Sequence, residues 1–97
     1  MLRKVLVDVQ LKNLFLQKLS VVPLSVQKQV YKRLQLFKRD PFDDQLRNHT
    51  LGGIYRGYSS IDITGDYRAI FKMFGKEAHF YRLGTHPELY GKDKIST

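Results

Sequence analysis

The chain has 97 residues, 42% of them apolar, and its 17 Lys and Arg against nine Asp and Glu give a formal net charge of +8. The length predicts a single domain over residues 1–97, the apolar content excludes a disordered tail, and the lack of cysteine excludes disulfides, thiolate zinc sites and a thiol nucleophile. The positive charge favours a polyanionic partner, with nucleic acid ahead of an acidic protein or a membrane surface.

The chain begins with a short apolar segment, residues 1–7, that Asp8 and Gln10 interrupt too soon for a signal peptide. No apolar stretch approaches the length of about 18 residues that a membrane span requires. We therefore expect a soluble cytoplasmic protein with no membrane partner.

The first half predicts a strand and two helices. Valines at positions 5, 7 and 9 alternate with other residues, which predicts a short opening strand. From about residue 8 the spacing becomes helical and predicts an amphipathic helix. Its apolar face would contain Leu11, Leu14, Phe15 and Leu19. A second helix begins at Pro23 or Ser25 and ends at Asp40 before Pro41. Its apolar stripe would contain Val26, Val30, Leu34 and Phe37.

The second half predicts a loop over residues 42–48 and then three strands. After Gly52 and Gly53 the apolar spacing has period two, and turns near residues 64–65 and 75–77 separate strands over 54–63, 66–74 and 78–83. The fold class is therefore α+β, with an N-terminal strand, two helices and an antiparallel meander of three strands. The helices pack on one face of the sheet and leave the other as a working surface. The tail, residues 92–97, is expected to be flexible.

Polar residues recur on that second face. Arg56, Tyr58, Ser60 and Asp62 share one parity, and Asp66, Arg68 and Lys72 share one on the next strand. Cross-strand pairing would gather them. Cations stabilise the charge that develops on a phosphodiester, and two histidines supply the base and the acid that metal-free RNA cleavage needs.

Each of these residues also has a plain structural explanation. His49 and His86 fit loop histidines, Asp66 fits a turn residue, and Arg68 and Arg82 fit solvated strand residues. Tyrosines are mostly core residues, although Tyr58 and Tyr90 suit base stacking. A metal site has the weakest support, because its candidates lack ligand spacing. These candidates are His49, Asp62, Asp66 and His86.

In their order and spacing, four motifs resemble the YafQ-like mRNA interferases of the RelE/ParE toxin superfamily. They cover about half of the chain tightly. The motifs are His49-x-Leu51-x-Gly53, Arg56-Gly57-Tyr58-Ser59-Ser60-Ile61, Asp66-Tyr67-Arg68-Ala69-Ile70-Phe71 and Arg82-Leu83-Gly84-Thr85-His86-x-Glu88-Leu89-Tyr90.

The resemblance implies a microbial-RNase-like fold and a bacterial toxin–antitoxin protein. It implies cleavage of mRNA in the ribosomal A site by 2′-hydroxyl attack, without metal or cofactor. The resemblance implies two partners. One is a cognate antitoxin, which covers the active surface of the toxin. The other is the ribosome with its mRNA, and a basic surface of the toxin would contact the 16S rRNA.

The resemblance also assigns roles. His49 and His86 form the acid/base pair, in an order that the sequence leaves open, and Asp66 orients one of them. Arg68 and Arg82 stabilise the phosphorane, and Tyr90 holds a base. Arg56 and Tyr58 are the nearest types to the catalytic Lys, Arg and Tyr of other RelE-like toxins.

Asp62 departs from the pattern, because YafQ-like proteins usually have histidine there and a carboxylate cannot act as a cation toward phosphate. A carboxylate at this position could still serve as a base or orient a neighbouring histidine. Two alternatives therefore stay open. One is a ParE-like gyrase inhibitor without nuclease chemistry, which His49 and His86 argue against. The other is an inactive homologue whose sheet only binds a partner.

Overall fold

The computed structural model describes residues 6–91. The predicted flexible tail 92–97 and the beginning of the predicted opening strand lie outside the described residues. The described part contains three α-helices, α1 Asn13–Leu19, α2 Leu24–Arg39 and α3 His86–Tyr90. Its five strands are β1 Asp8–Leu11, β2 His49–Thr50, β3 Ser59–Asp62, β4 Tyr67–Phe74 and β5 Glu77–Thr85.

The strands form one mixed sheet in the order β1-β5-β4-β3-β2. The predicted meander is confirmed, because β3, β4 and β5 pair in antiparallel fashion. β1 extends it on one edge as a parallel neighbour of β5, and β2 extends it on the other. The α+β fold predicted from the sequence is thus confirmed, with two strands more in the sheet than the meander alone.

The two predicted helices are present, but the first begins later than expected. α2 contains the predicted stripe, and all four of its residues are buried. In the first helix, Phe15 and Leu19 are buried as predicted, whereas Leu14 is 60% exposed. The reason is that β1 continues through Leu11, which pairs with Phe80 of β5. Helix α1 therefore starts at Asn13 and turns a different face toward the sheet.

The main core lies between the sheet and helices α1 and α2. It includes three rings, Phe37, Phe71 and Phe80, whose centroids lie 5.0 to 5.3 Å apart. We call the opposite side of the sheet the open face. Only a small second cluster, centred on Ile70, Leu89 and Tyr90, lies there.

The predicted strand 54–63 is wrong over its first part. Residues Gly53–Tyr55 form one turn of 3₁₀ helix, and strand β3 begins only at Ser59. Gly53 and Gly57 have φ values of 60° and 92°, which break an extended chain. Arg56 therefore shares no strand with Asp62, contrary to the parity argument. The predicted loop 42–48 likewise contains a 3₁₀ turn, Asp44–Leu46.

Helix α3 was not predicted. Its N-terminus has a capping box, in which the Thr85 hydroxyl accepts from the Glu88 amide and the Glu88 carboxylate accepts from the Thr85 amide. The sequence carried this signal, a threonine three residues before a glutamate with a proline between them. The helix covers part of the open face through Leu89 and Tyr90.

Candidate active site

A cavity of about 280 Å³ opens on the open face and collects residues from β2, β3, β4 and α3. Four predicted site residues line it, His49, Arg68, His86 and Tyr90, together with Thr50, Leu51, Gly52 and Ser60. The strand register explains the grouping, since His49 pairs with Ser60 and Ser60 with Ile70. Residues that are 41 positions apart in the sequence, His49 and Tyr90, thereby contribute to one concave surface.

His49 is held at one of its ring nitrogens. Its Nδ1 lies 2.7 Å from the carbonyl oxygen of Arg47, a residue with φ of 50°. A carbonyl oxygen only accepts hydrogen bonds, so Nδ1 carries the proton of this bond. In the neutral ring the lone pair is then on Nε2, which makes Nε2 the atom suited to take a proton.

His86 begins helix α3, and its ring lies 4.6 Å from the ring of Tyr90. The helix is tied to α1, because Lys18 Nζ donates to Glu88 Oε2 at 2.9 Å. This hydrogen bond, followed by the one from the Thr85 amide, lowers the pKa of the Glu88 carboxyl below its ordinary value. The ion pair and the capping box together fix the end of the helix that carries His86.

Arg68 is anchored by Asp62, its cross-strand partner. Arg68 Nε lies 3.1 Å from Asp62 Oδ1, and Arg47 Nε lies 3.3 Å from Asp62 Oδ2. Nη1 of Arg68 also donates to three backbone carbonyls, those of Thr64, Gly65 and Tyr67. The guanidinium therefore has a fixed position at the wall of the cavity.

Asp66 lies outside this cavity and lines a neighbouring one of about 340 Å³. Arg68 and His86 line both cavities, so they form the wall between them. The Asp66 amide donates to the Thr64 hydroxyl, as in a polar turn. The structure thus brings Asp66 near His86 and leaves its orienting role a prediction.

Ser60 is a residue of the cavity to which the sequence assigned no role. Its side chain is buried, and among residues 6–91 its hydroxyl oxygen has no hydrogen-bond partner. A buried polar group without a partner is rare and costs free energy. The Ser60 side chain also lowers the pKa of the Tyr90 phenol, against the larger effect of burial, so the Tyr90 hydroxyl is a polar neighbour of Ser60 in the cavity wall. The only sign of a role in the sequence was that Ser60 alternates with the other polar residues of its strand.

Tyr90 contributes to the cavity from the second cluster. It is 9% exposed, and burial raises the pKa of its phenol above the ordinary value. Its ring packs edge-to-face on Tyr55 at 5.5 Å. Tyr90 therefore presents a fixed neutral ring at neutral pH.

Five predicted residues do not line the cavity, namely Asp62 and Asp66, described above, and Arg82, Tyr58 and Arg56. Arg82 Nη1 donates to the Tyr55 hydroxyl at 3.3 Å, and Arg82 faces a groove beside α1. Tyr58 lies under Lys72, and Arg56 is exposed after the 3₁₀ turn. Within residues 6–91, no three His, Asp or Glu side chains are placed to hold a metal ion. No helix of that part is long and apolar enough to cross a membrane.

No family model and no curated protein matches the chain in sequence. Solved structures do match it. YafQ from Escherichia coli BL21(DE3) has 21% identity and a TM-score of 0.68, over 88% of this chain and 99% of YafQ. A copper-bound mutant toxin from Helicobacter pylori has 28% identity and a TM-score of 0.63, over 87% of this chain and 99% of that one.

A third match comes from the toxin–antitoxin complex RelBE2 of Mycobacterium tuberculosis. It has 19% identity and a TM-score of 0.71, over 84% of this chain and 100% of the matched chain. The fold that the motif resemblance implied is thereby confirmed, because the chain has the fold of the RelE/ParE-type toxins and YafQ is among its structural relatives.

Proposed function

We propose that the chain is the toxin of a type II toxin–antitoxin system and cleaves mRNA on the ribosome. The single observation that supports this most is the shared cavity of His49, Arg68 and His86. Two titratable rings and a guanidinium around one space are the groups that cleavage by 2′-hydroxyl attack requires. The similar YafQ structure and the toxin–antitoxin complex RelBE2 support a toxin role with an antitoxin partner.

In this proposal His49 is the base. Its Nδ1–H is engaged by the Arg47 carbonyl, so Nε2 takes the proton of the 2′-hydroxyl. The 2′-oxygen then forms a bond to phosphorus, and the bond from phosphorus to the 5′-oxygen breaks. His86 donates a proton to that leaving oxygen, and the product ends in a 2′,3′-cyclic phosphate. The ribosome contributes by holding the 2′-oxygen in line with the leaving group.

Arg68 stabilises the phosphorane. Asp62 neutralises part of its charge, but two guanidinium groups share that one carboxylate. Counted formally, the cluster of Arg47, Asp62 and Arg68 carries two positive charges and one negative charge, and is therefore a net cation. A cationic cluster thus remains where the YafQ-like pattern has a histidine, and we propose that the substitution of Asp62 is compatible with activity.

The test is primer extension on an mRNA that is being translated, with the parent chain and His86→Ala side by side. His86 is exposed, so its truncation leaves the fold intact by circular dichroism. We expect cleavage by the parent and a loss of about 10²- to 10⁴-fold in His86→Ala. Growth arrest by a folded His86→Ala variant would count against the proposal.

Two results would favour the alternatives. Inhibition of supercoiling by gyrase, with no mRNA cleavage, would indicate a ParE-like inhibitor. Cleavage by Asp62→His with none by the parent would indicate an inactive homologue that only binds a partner.

A further inference from the structure

Six aromatic rings follow one another across the open face, from the β4–β5 hairpin to the candidate active site. We call them the aromatic track, which consists of Phe74, His79, Tyr81, Tyr58, Tyr55 and Tyr90. Successive ring centroids lie 4.5, 6.4, 5.4, 6.2 and 5.5 Å apart. The last ring lies 4.6 Å from His86. The track therefore ends at the cavity.

The outer part of the track lies outside the main core, although Tyr58 packs against the second cluster. Phe74 is 48% exposed, and Tyr58 and Tyr81 are half-buried. The main core lies on the other side of the sheet and does not need these rings. Exposed apolar surface that is continuous over several side chains marks an interaction site.

Cations lie beside the rings. Lys72 Nζ is 5.4 Å from the ring centre of Tyr58 and 5.8 Å from that of Phe74. Further along, Arg82 donates to the Tyr55 hydroxyl. At the hairpin end, Glu77 and its β1 neighbour Asp8 are acidic, and Glu77 binds the His79 ring at 2.9 Å. Along the central part of the track, the charge is positive.

We propose that the aromatic track binds the single-stranded RNA that flanks the scissile bond, with bases on the rings and phosphates at Lys72 and Arg82. The inference rests on the proposed function, since it takes the cavity as the place of cleavage. Aromatic rings beside cations are the general device for holding single strands, because every base has a face that stacks.

The length of the track fits several nucleotides. From Arg68 at the cavity to Phe74, strand β4 spans about 20 Å at about 3.3 Å per residue. Successive rings lie 4.5 to 6.4 Å apart, wider than the rise of about 3.4 Å between bases that stack on one another, so bases that lie on the rings fill this span with about three to four nucleotides. In a duplex the base faces are already stacked on one another, so they are not available to stack on the rings. An acidic protein segment would engage Lys72 but not the sequence of rings.

The test measures binding without cleavage. A fluorescent 2′-O-methyl oligouridylate of about eight nucleotides lacks the attacking hydroxyl and spans the track. Phe74→Ala and Tyr81→Ala should each weaken its binding by about 5- to 100-fold in fluorescence anisotropy, the range that loss of one stacked base gives. Tyr31→Ala is the matched control, because Tyr31 is 57% exposed on helix α2 in the other layer.

Equal affinity in the parent and both track variants would overturn the proposal, as would an equal loss in Tyr31→Ala. Weaker binding in Lys72→Gln alone would also overturn it and would indicate a charge-only surface suited to an acidic partner. Phe74→Leu, which keeps an apolar side chain, provides a second variant if Phe74→Ala does not fold. A parent that binds through the track but cleaves no translated mRNA would contradict the proposed function alone.

Discussion

Asp62 Oδ1 lies 3.1 Å from Arg68 Nε, and the two residues face each other across β3 and β4. Both side chains are mostly buried, with 19% and 24% of their surfaces exposed. The residue that departs from the YafQ-like pattern is therefore the residue that positions the arginine of the cavity. Its carboxylate does not face the substrate alone, because Arg47 binds its other oxygen.

Removal of the Asp62 charge should destabilise the fold and weaken catalysis together. Asp62→Asn leaves Arg68 without its charged partner in a half-buried place. We expect a loss of about 1 to 2 kcal/mol in the free energy of unfolding, between the values for exposed and buried pairs. Urea denaturation measures this. Arg47→Gln is the control, because the Arg47 side chain is 76% exposed and its removal should cost less than about 0.5 kcal/mol. Equal losses of stability in Asp62→Asn and Arg47→Gln would contradict the expectation that the Asp62–Arg68 pair contributes more than the exposed Arg47.

His49 allows a test of whether its imidazole is the base. Asparagine retains a donor near the position of Nδ1, whereas glutamine places a polar atom near that of Nε2. Because the proposal needs Nε2 as a base, and an amide is not basic, both His49→Asn and His49→Gln should lose about 10²- to 10⁴-fold in single-turnover mRNA cleavage. His49 is exposed, so thermal unfolding should change little. Full activity in either variant would exclude His49 as the base.

The capping of α3 should make stability depend on pH. The hydrogen bond from Lys18, with that of the Thr85 amide, lowers the pKa of Glu88 from its ordinary value of 4.5. A carboxyl whose pKa is lower in the folded state stabilises the fold above its unfolded pKa and loses this contribution as the pH falls through the folded pKa.

Glu88→Gln keeps the capping hydrogen bonds and removes the charge together with the oxygen that accepts from Lys18. Since the Glu88 side chain is 46% exposed, we expect a loss of about 0.3 to 0.5 kcal/mol at neutral pH and none in acid, once the carboxyl is protonated in the folded state as well. Chemical denaturation at both pH values measures the difference. Lys18→Gln should remove the larger part of the same dependence, and a Glu88→Gln deficit that persists in acid would contradict this origin.

The sequence predicted the parts of this fold that depend on periodicity. The stripe of α2 from Val26 to Phe37 has four members at helical spacing, and all are buried. The prediction of a strand over 54–63 was wrong in its first part. An alternation of residue types along the chain does not reveal that the backbone turns at Gly53 and Gly57. The predicted start of α1 was too early because β1 and β5, which are far apart in sequence, pair through Leu11.

The site was predictable as a set of residue types but not as contacts. Motif order drew attention to His49, Arg68 and His86, which line one cavity. The pairing of Asp62 with Arg47 and Arg68 depends on a strand register and on a left-handed residue, Arg47. Neither has a signature in the sequence. Ser60 stayed unassigned because nothing in its own motif shows that its hydroxyl is buried without a partner.

The lack of a side chain at Gly84 should determine where helix α3, and with it His86, lies against strand β5. A Cβ built at Gly84 would lie 3.0 Å from Glu88 Oε1 and 3.3 Å from Leu89 Cδ2, closer than ordinary contacts allow. The added methyl group of Gly84→Ala, on strand β5, should therefore overlap with α3 and displace this helix, which carries His86. We expect a modest cost of about 1 to 2 kcal/mol in unfolding free energy, typical of overpacking, and a loss of mRNA cleavage that exceeds the loss of stability.

The matched control is Gly65→Ala, since a Cβ at Gly65 has no neighbour within 4 Å among the described residues. Gly84→Ala combined with Glu88→Ala relieves the shorter of the two contacts, and Glu88→Ala alone is its reference, because that substitution also removes the capping box and the Lys18 ion pair. Partial recovery of cleavage in the double variant would support crowding of α3 as the cause. Unchanged cleavage in Gly84→Ala would show that His86 tolerates a shift of its helix, and the geometry of the cavity would then matter less than the proposal requires.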